Sequence, residues 1–151
     1  MLELSKMNEI EYQIFFNNGV KDYEEELIKA GTPCEQAKEI AFKTFNGILT
    51  EGINTERQFF LNINNEGNNV GFIWFELREH QEAFINDFMI FEDYRKQGFG
   101  KQALTILDQF VQELGVKKLS LHVFGHNSNA LALYEKMGFL PTNILMAKVF
   151  N

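Results

Sequence analysis

The sequence predicts a mixed α/β domain, with helices on both faces of a single sheet. Three observations carry this. Apolar residues first recur at a helical spacing, switch to strict alternation at about Phe59, and then mix the two periods. Turn signals fall between the periodic segments rather than inside them. The length of 151 residues suits one core, and no repeat, low-complexity tract or Pro/Ser-rich linker divides residues 1–151.

Taken in order, residues 2–4 read as a short first strand. Residues 8–30 read as helical, with Ile10, Ile14, Val20, Tyr23, Leu27 and Ile28 as apolar contacts and Gly19 as a break or bend. Thr32-Pro33-Cys34-Glu35 reads as a helix start, with a threonine cap, proline at the first helical position and glutamate closing a capping box. The helix that follows is expected to bury Ala37, Ile40, Ala41, Phe45, Ile48 and Leu49. Phe59, Leu61 and Ile63 then alternate as a strand. A hairpin loop is expected over residues 64–69, with Gly67, and a return strand over 70–77. Residues 83–91 are apolar on both faces, as in a central strand. Residues 98–114 form a helical stripe closed by Gly115, and residues 118–124 form another strand. A short helix over 129–137 ends at Gly138, and a final strand is expected over 144–150.

Composition removes several function classes. Apolar residues make up 45% and charged residues 23%, which suits a packed core rather than disorder. The longest apolar stretch, Val70 to Phe75, is far too short to cross a bilayer, and the first eight residues lack a signal-peptide layout, so no membrane partner is expected. One cysteine excludes an internal disulfide framework and a cysteine-rich zinc site, and fits a reducing cytoplasm. A net charge of −7 argues against general nucleic-acid binding and favours cationic partners.

The segment Arg95-Lys96-Gln97-Gly98-Phe99-Gly100 lies where a central strand turns into a long helix. Glycines there let the main chain approach a ligand and present successive N–H groups. The helix start adds partial positive charge, and Arg95, Lys96 and Lys101 add full charges. A pyrophosphate is the natural guest. The same residues match the dinucleotide fingerprint G-x-G-x-x-A, but that site needs an acidic residue about 20 positions on. Between Leu114 and Tyr134 there is no Asp or Glu, and too little chain remains for a doubly wound sheet. The nicotinamide reading is therefore set aside.

With these residues the sequence resembles the GNAT acetyltransferase superfamily. Its pyrophosphate motif, R/Q-x-x-G-x-G/A, matches Arg95, Gly98 and Gly100. A second motif, N-x-x-A-x-x-L-Y-E-K-x-G-F, is matched from Asn127 through Ala130, Leu133, Tyr134 and Glu135 to Phe139. The position before Asp93, often proline in that family, is Glu92 here. The resemblance implies a mostly antiparallel central sheet flanked by helices, with a strand pair that splays to form a cleft. It implies acetyl-CoA as co-substrate and an amine-bearing small molecule or peptide as acceptor. It assigns Arg95, Lys96, Gln97, Gly98, Phe99, Gly100 and Lys101 to the pyrophosphate loop, and the backbone of Phe88, Met89 and Ile90 to the pantetheine arm. Asn127 is then expected against that arm and Tyr134 against the sulfur.

The chemistry requires a deprotonated amine, a stabilised carbonyl oxygen and a departing thiolate. A backbone N–H near Met89 or Ile90 suits the oxygen. Tyr134, protonated at neutral pH, suits the sulfur. For the base, His122 is the candidate of intermediate pKa, and Asp87 and Glu76 are carboxylate candidates; the sequence leaves the three open. Strand alternation sets Asp87 on the same side as Met89 and opposite Phe88. His122 and His126 lack a third ligand at metal spacing, so no metal is expected. Cys34, in the first turn of a helix, is read as a quiet residue, since no His adjoins it. The acidic run 22–26 is read as a solvated face that also suits a cationic acceptor. A CoA-binding module without turnover is the rival reading, and apolar patterning in the terminal strands allows a homodimer.

Overall fold

The computed structural model describes all 151 residues. Strand β1 (Leu2–Lys6) leads directly into helix α1 (Glu9–Lys29). The helix starts at Asn8, whose Oδ1 accepts from the Glu11 N–H at 2.8 Å, while Glu11 Oε1 accepts from the Asn8 N–H at 2.9 Å. This is the capping box, and it stands here rather than at Thr32. Helix α2 (Cys34–Ile48) has Pro33 at its N-cap and no side-chain cap bond, because the threonine lies one residue too early.

Helix α1 runs unbroken through Gly19, contrary to expectation. A β-carbon there would lie 2.9 Å from the Phe45 ring, so the glycine lets α2 approach rather than ending the helix. Its buried stripe is Tyr12, Phe15 and Gly19. Anchoring that stripe turns Ile10, Ile14 and Ile28 outward, and they are exposed instead of packed. On α2 the buried residues are Ala37, Ala41 and Phe45, with Ile40 on the outer side.

The sheet follows as β2 (Gln58–Asn65), β3 (Asn68–Arg78), β4 (Glu82–Ile90) and, after helix α3 (Phe99–Glu113), β5 (Lys118–Leu121); helix α4 (Ser128–Lys136) comes last. The expected hairpin loop tightens to two residues, Glu66 and Gly67, at φ 51° and 84°, because the strand pairing extends to Asn65 and Asn68. Strand order is β1-β2-β3-β4-β5, antiparallel from β1 to β4, with β5 parallel to β4 through the α3 crossover. One face carries an aromatic cluster of Phe15, Phe45, Phe60, Phe72 and Trp74 beneath α1 and α2. The other packs Ile63, Ile73, Phe75 and Ile85 against Leu104 and Leu107 of α3. No helix is long and apolar enough to cross a membrane.

Strand β5 stops at Leu121, short of the expected Phe124, and residues 144–150 form no strand. Both differences have one physical reason: a strand persists only where a neighbour takes its backbone hydrogen bonds, and neither stretch has that neighbour within the chain. One glycine of the sheet admits no alternative. A β-carbon on Gly71 would fall on the carbonyl oxygen of Met89. Gly71→Ala is therefore expected to cost ~3 kcal/mol, read as a lower urea midpoint with an unchanged slope.

Candidate active site

Strands β4 and β5 are paired only up to Ile85 and Leu121. Beyond that point β4 continues to Ile90 against β3 alone, so a cleft opens on its other side. A bulge marks the divergence. Trp74 pairs with Asp87 and Phe75 with Ile85, which leaves Asn86 unopposed. Asn86 Nδ2 donates to Glu76 Oε1 at 2.8 Å, and Arg78 Nε lies 3.3 Å from Glu76 Oε2. Glu76 thus has both oxygens engaged beside the bulge.

The unpaired edge of β4 is polar main chain. Phe91 N–H donates to Val70 O, and the Met89 carbonyl faces Gly71, so both are turned toward β3. Alternation then aims the N–H and C=O of Phe88 and Ile90 into the cleft. Their side chains pack on the α3 face, whereas Met89 packs with the aromatic cluster under α1. Arg95 Nε donates to the Ile90 carbonyl at 2.9 Å, tying the next loop to the end of β4.

That loop is shaped for an anion. Lys96 and Gly98 hold left-handed conformations at φ 63° and 81°, and Gly98 is the N-cap of α3. The first turn of α3 leaves the N–H groups of Phe99, Gly100 and Lys101 without helical partners. Lys96, Gln97, Gly98 and Lys101 are exposed around them. Gly100 sits where the helix meets β4 and α4; a β-carbon there would be 3.1 Å from Leu133 Cδ2 and 3.8 Å from the Phe88 and Ile90 side chains. A diphosphate meets bare amides, a helix N-terminus and cations here, so the residues fit coenzyme A.

Two titratable groups flank the cleft. Asp87 reaches it from the α1 face. Burial pushes its carboxyl up to about 7, against a hydrogen bond from the Phe88 backbone and with help from the negative charge of Asp22. Tyr134 reaches it from α4, its ring 6.4 Å from Phe88 and edge-on to Phe139 at 5.7 Å. Burial and the nearby Asp87 charge push its hydroxyl up to about 12, so it remains protonated. Asp22 itself is raised by burial and by Glu25 and Glu26.

His122 lies just past β5, exposed, with its ring edge-on to Phe124 at 4.9 Å. Phe124 in turn lies 6.5 Å from Tyr23 of α1. His126 Nε2 is 2.7 Å from Glu26 Oε2, a link between α1 and the loop before α4. Asn127 caps α4, its side chain accepting from the Ala130 N–H at 3.4 Å. The structure therefore brings Asp87, Tyr134, the β4 edge and the loop 95–101 to one cleft, and sets Glu76 and His122 at its margins. Asp22 was not singled out by sequence reasoning; the acidic run 22–26 was its only signal, because its proximity to Asp87 is made by the packing of α1 on the sheet.

The acetyltransferase (GNAT) family model matches residues 19–139. The uncharacterized N-acetyltransferase YycN of Bacillus subtilis is 41% identical over 150 residues, covering 96% of each chain. The crystal structure of YycN superposes with a TM-score of 0.96 at 39% identity, covering 100% of this chain and 99% of the other. The PaiA N-acetyltransferase of Thermoplasma acidophilum, solved in complex with coenzyme A, shares the fold with a TM-score of 0.69 at 16% identity, covering 93% and 90%. A shorter match, 33% identical over 82 residues, is to the spermine/spermidine N(1)-acetyltransferase of Bacillus subtilis, covering 49% of this chain and 54% of that one.

Proposed function

From the premise that the chain belongs to the GNAT family of acetyl-CoA-dependent N-acetyltransferases, we propose that it acetylates a primary amine of a small cationic acceptor by direct attack in a ternary complex. The observation that carries this reading is the opening between β4 and β5, with Asp87 on the β4 strand that borders it and Tyr134 set against Phe88 of the same strand. Acetyl-CoA supplies the activated acyl group. The chain's own residues do the rest. The loop 95–101 holds the diphosphate, and the Phe88 and Ile90 amides align the arm as an added strand. An N–H of that edge faces the carbonyl oxygen as charge develops. Asp87 accepts the amine proton, and Tyr134 donates a hydrogen bond to the departing sulfur.

Asp22 of α1 lies near Asp87, and Glu25 and Glu26 lie near Asp22, so the acceptor side of the cleft is negative. An amine bearing a second positive charge suits it, and the spermine/spermidine match points the same way. The same reading makes the working unit a homodimer, because an apolar segment near the C-terminus stands in solvent. It sets the enzyme in a reducing cytoplasm, where the exposed Cys34 thiol stays free.

Thiol release from acetyl-CoA against polyamines, amino acids, aminoglycosides and peptides tests the reaction. Turnover is expected on di- and polycations, with a KM that rises with salt. Tight acetyl-CoA binding with no turnover on any amine replaces the enzyme by a binding module. Gly98→Val is expected to weaken coenzyme A binding at least ~10-fold by calorimetry, with circular dichroism unchanged, since valine disfavours the left-handed N-cap and covers the amides.

A further inference from the structure

We propose that residues 144–150 become a strand by exchange between two copies of the chain, each copy's segment pairing with the open edge of β5 in the other. The proposal rests on the homodimer reading above and says which surface makes the dimer.

The segment Ile-Leu-Met-Ala-Lys-Val-Phe carries one charge in seven residues. Ile144, Leu145, Met146, Val149 and Phe150 are 79%, 94%, 85%, 81% and 83% exposed. A contiguous apolar stretch of this kind is rare on a lone chain and marks a contact surface. Its composition, rich in branched and aromatic residues, is that of a strand. The complement lies at the other end of the sheet. β5 is the last strand, and nothing pairs with its outer side. It is four residues long although the alternating pattern runs on through Val123 to Phe124, and past Ile85 it has also lost β4. A strand laid on that outer edge supplies the missing neighbour. Residues 118–124 and 144–150 are both seven residues long, each spanning ~23 Å when extended.

The geometry also says why the occupant is a second copy. Phe139 is fixed against Tyr134 and the α3-side core, so the segment leaves from an anchored point. From there, four residues including Pro141 carry it away from its own β5, on which it does not lie. The YycN crystal structure superposes over 100% of this chain, these residues included, with a TM-score of 0.96. Exchange about a two-fold axis covers both segments and both edges at once, which is the closed, self-complementary arrangement. It also extends β5 toward Phe124, which lies against Tyr23 of α1.

Sedimentation equilibrium and amide hydrogen exchange on the full chain test this. The expected results are a species of twice the 17.6 kDa chain at micromolar concentration and amides of 145–149 protected at least ~100-fold. Leu145→Asp with Val149→Asp is expected to give a monomer with those amides unprotected and the melting temperature of the remaining fold little changed. A dimer that survives the double substitution, or unprotected amides in a wild-type dimer, overturns the exchange and leaves the homodimer standing. A wild-type monomer overturns both, and protected amides in that monomer mean that the segment pairs within its own chain. Should the double variant not fold, the wild-type exchange pattern and mass decide alone.

Discussion

Asp87→Asn is expected to lower kcat ~10²-fold or more and to abolish a rise in rate through about pH 7. A carboxylate at its ordinary value is a weak acceptor for the proton of an ammonium group near pKa 10. Burial in the cleft wall, with Asp22 nearby, brings Asp87 close to neutrality and strengthens it as a base. The ionised form is the active one, so wild-type activity falls as pH drops through about 7, whereas the asparagine variant lacks that step. The stability effect has the opposite sense. A folded-state value raised above 3.8 means that the native protein binds more protons than the unfolded chain between about 4 and 7. Wild-type stability is therefore lost across that window as pH rises. Asp87→Asn should melt higher than wild type at pH 8, and the two should converge near pH 4. A variant that retains the wild-type pH–rate profile removes Asp87 from the base role and leaves His122, at the margin of the cleft, as the next residue to replace.

Sequence carried the local chemistry of this site further than its tertiary contacts. Gly98 is legible because a left-handed N-cap demands glycine whatever surrounds it, and Gly100 because it falls at a fixed spacing in the same motif, its crowding by Leu133 being visible only in the fold. Tyr134 is legible because it sits in a motif of fixed spacing. Alternation correctly set Asp87 and Met89 on one side, since the bulge at Asn86 precedes them both. What depends on distant packing was not legible. Gly19 reads locally as a helix breaker, and only the Phe45 ring reveals it as a close-packing site. Glu76 looks like a free carboxylate until Asn86 and Arg78 occupy it. Asp22 acquires a functional neighbour only when α1 lies across the sheet. The strand pattern in 144–150 is a further case, where periodicity describes the segment's preference and says nothing of which chain satisfies it.

Tyr134→Phe is expected to reduce kcat ~10²-fold or more while coenzyme A affinity stays within a factor of about 3. The ring is held by Phe88 and Phe139, contacts that phenylalanine keeps, so ground-state binding loses little. The lost hydroxyl acts where charge gathers on sulfur. A thiol titrates near 8.5, well below a tyrosine pushed up to about 12, so the proton rests on Tyr134 throughout. Its contribution is a hydrogen bond to the developing thiolate, strong because the cleft is partly desolvated, and the thiolate takes its proton later from water. This has a kinetic signature. The variant should lose rate evenly across the pH range and keep the Asp87 inflection, whereas an acid that transfers its proton outright would remove a limb of the profile at high pH. Leaving-group dependence separates the cases further. Acyl donors whose thiols are more acidic need less help at sulfur, so Tyr134→Phe should be least impaired with them. An equal loss for all donors, with the chemical step limiting, would return Tyr134 to a packing residue.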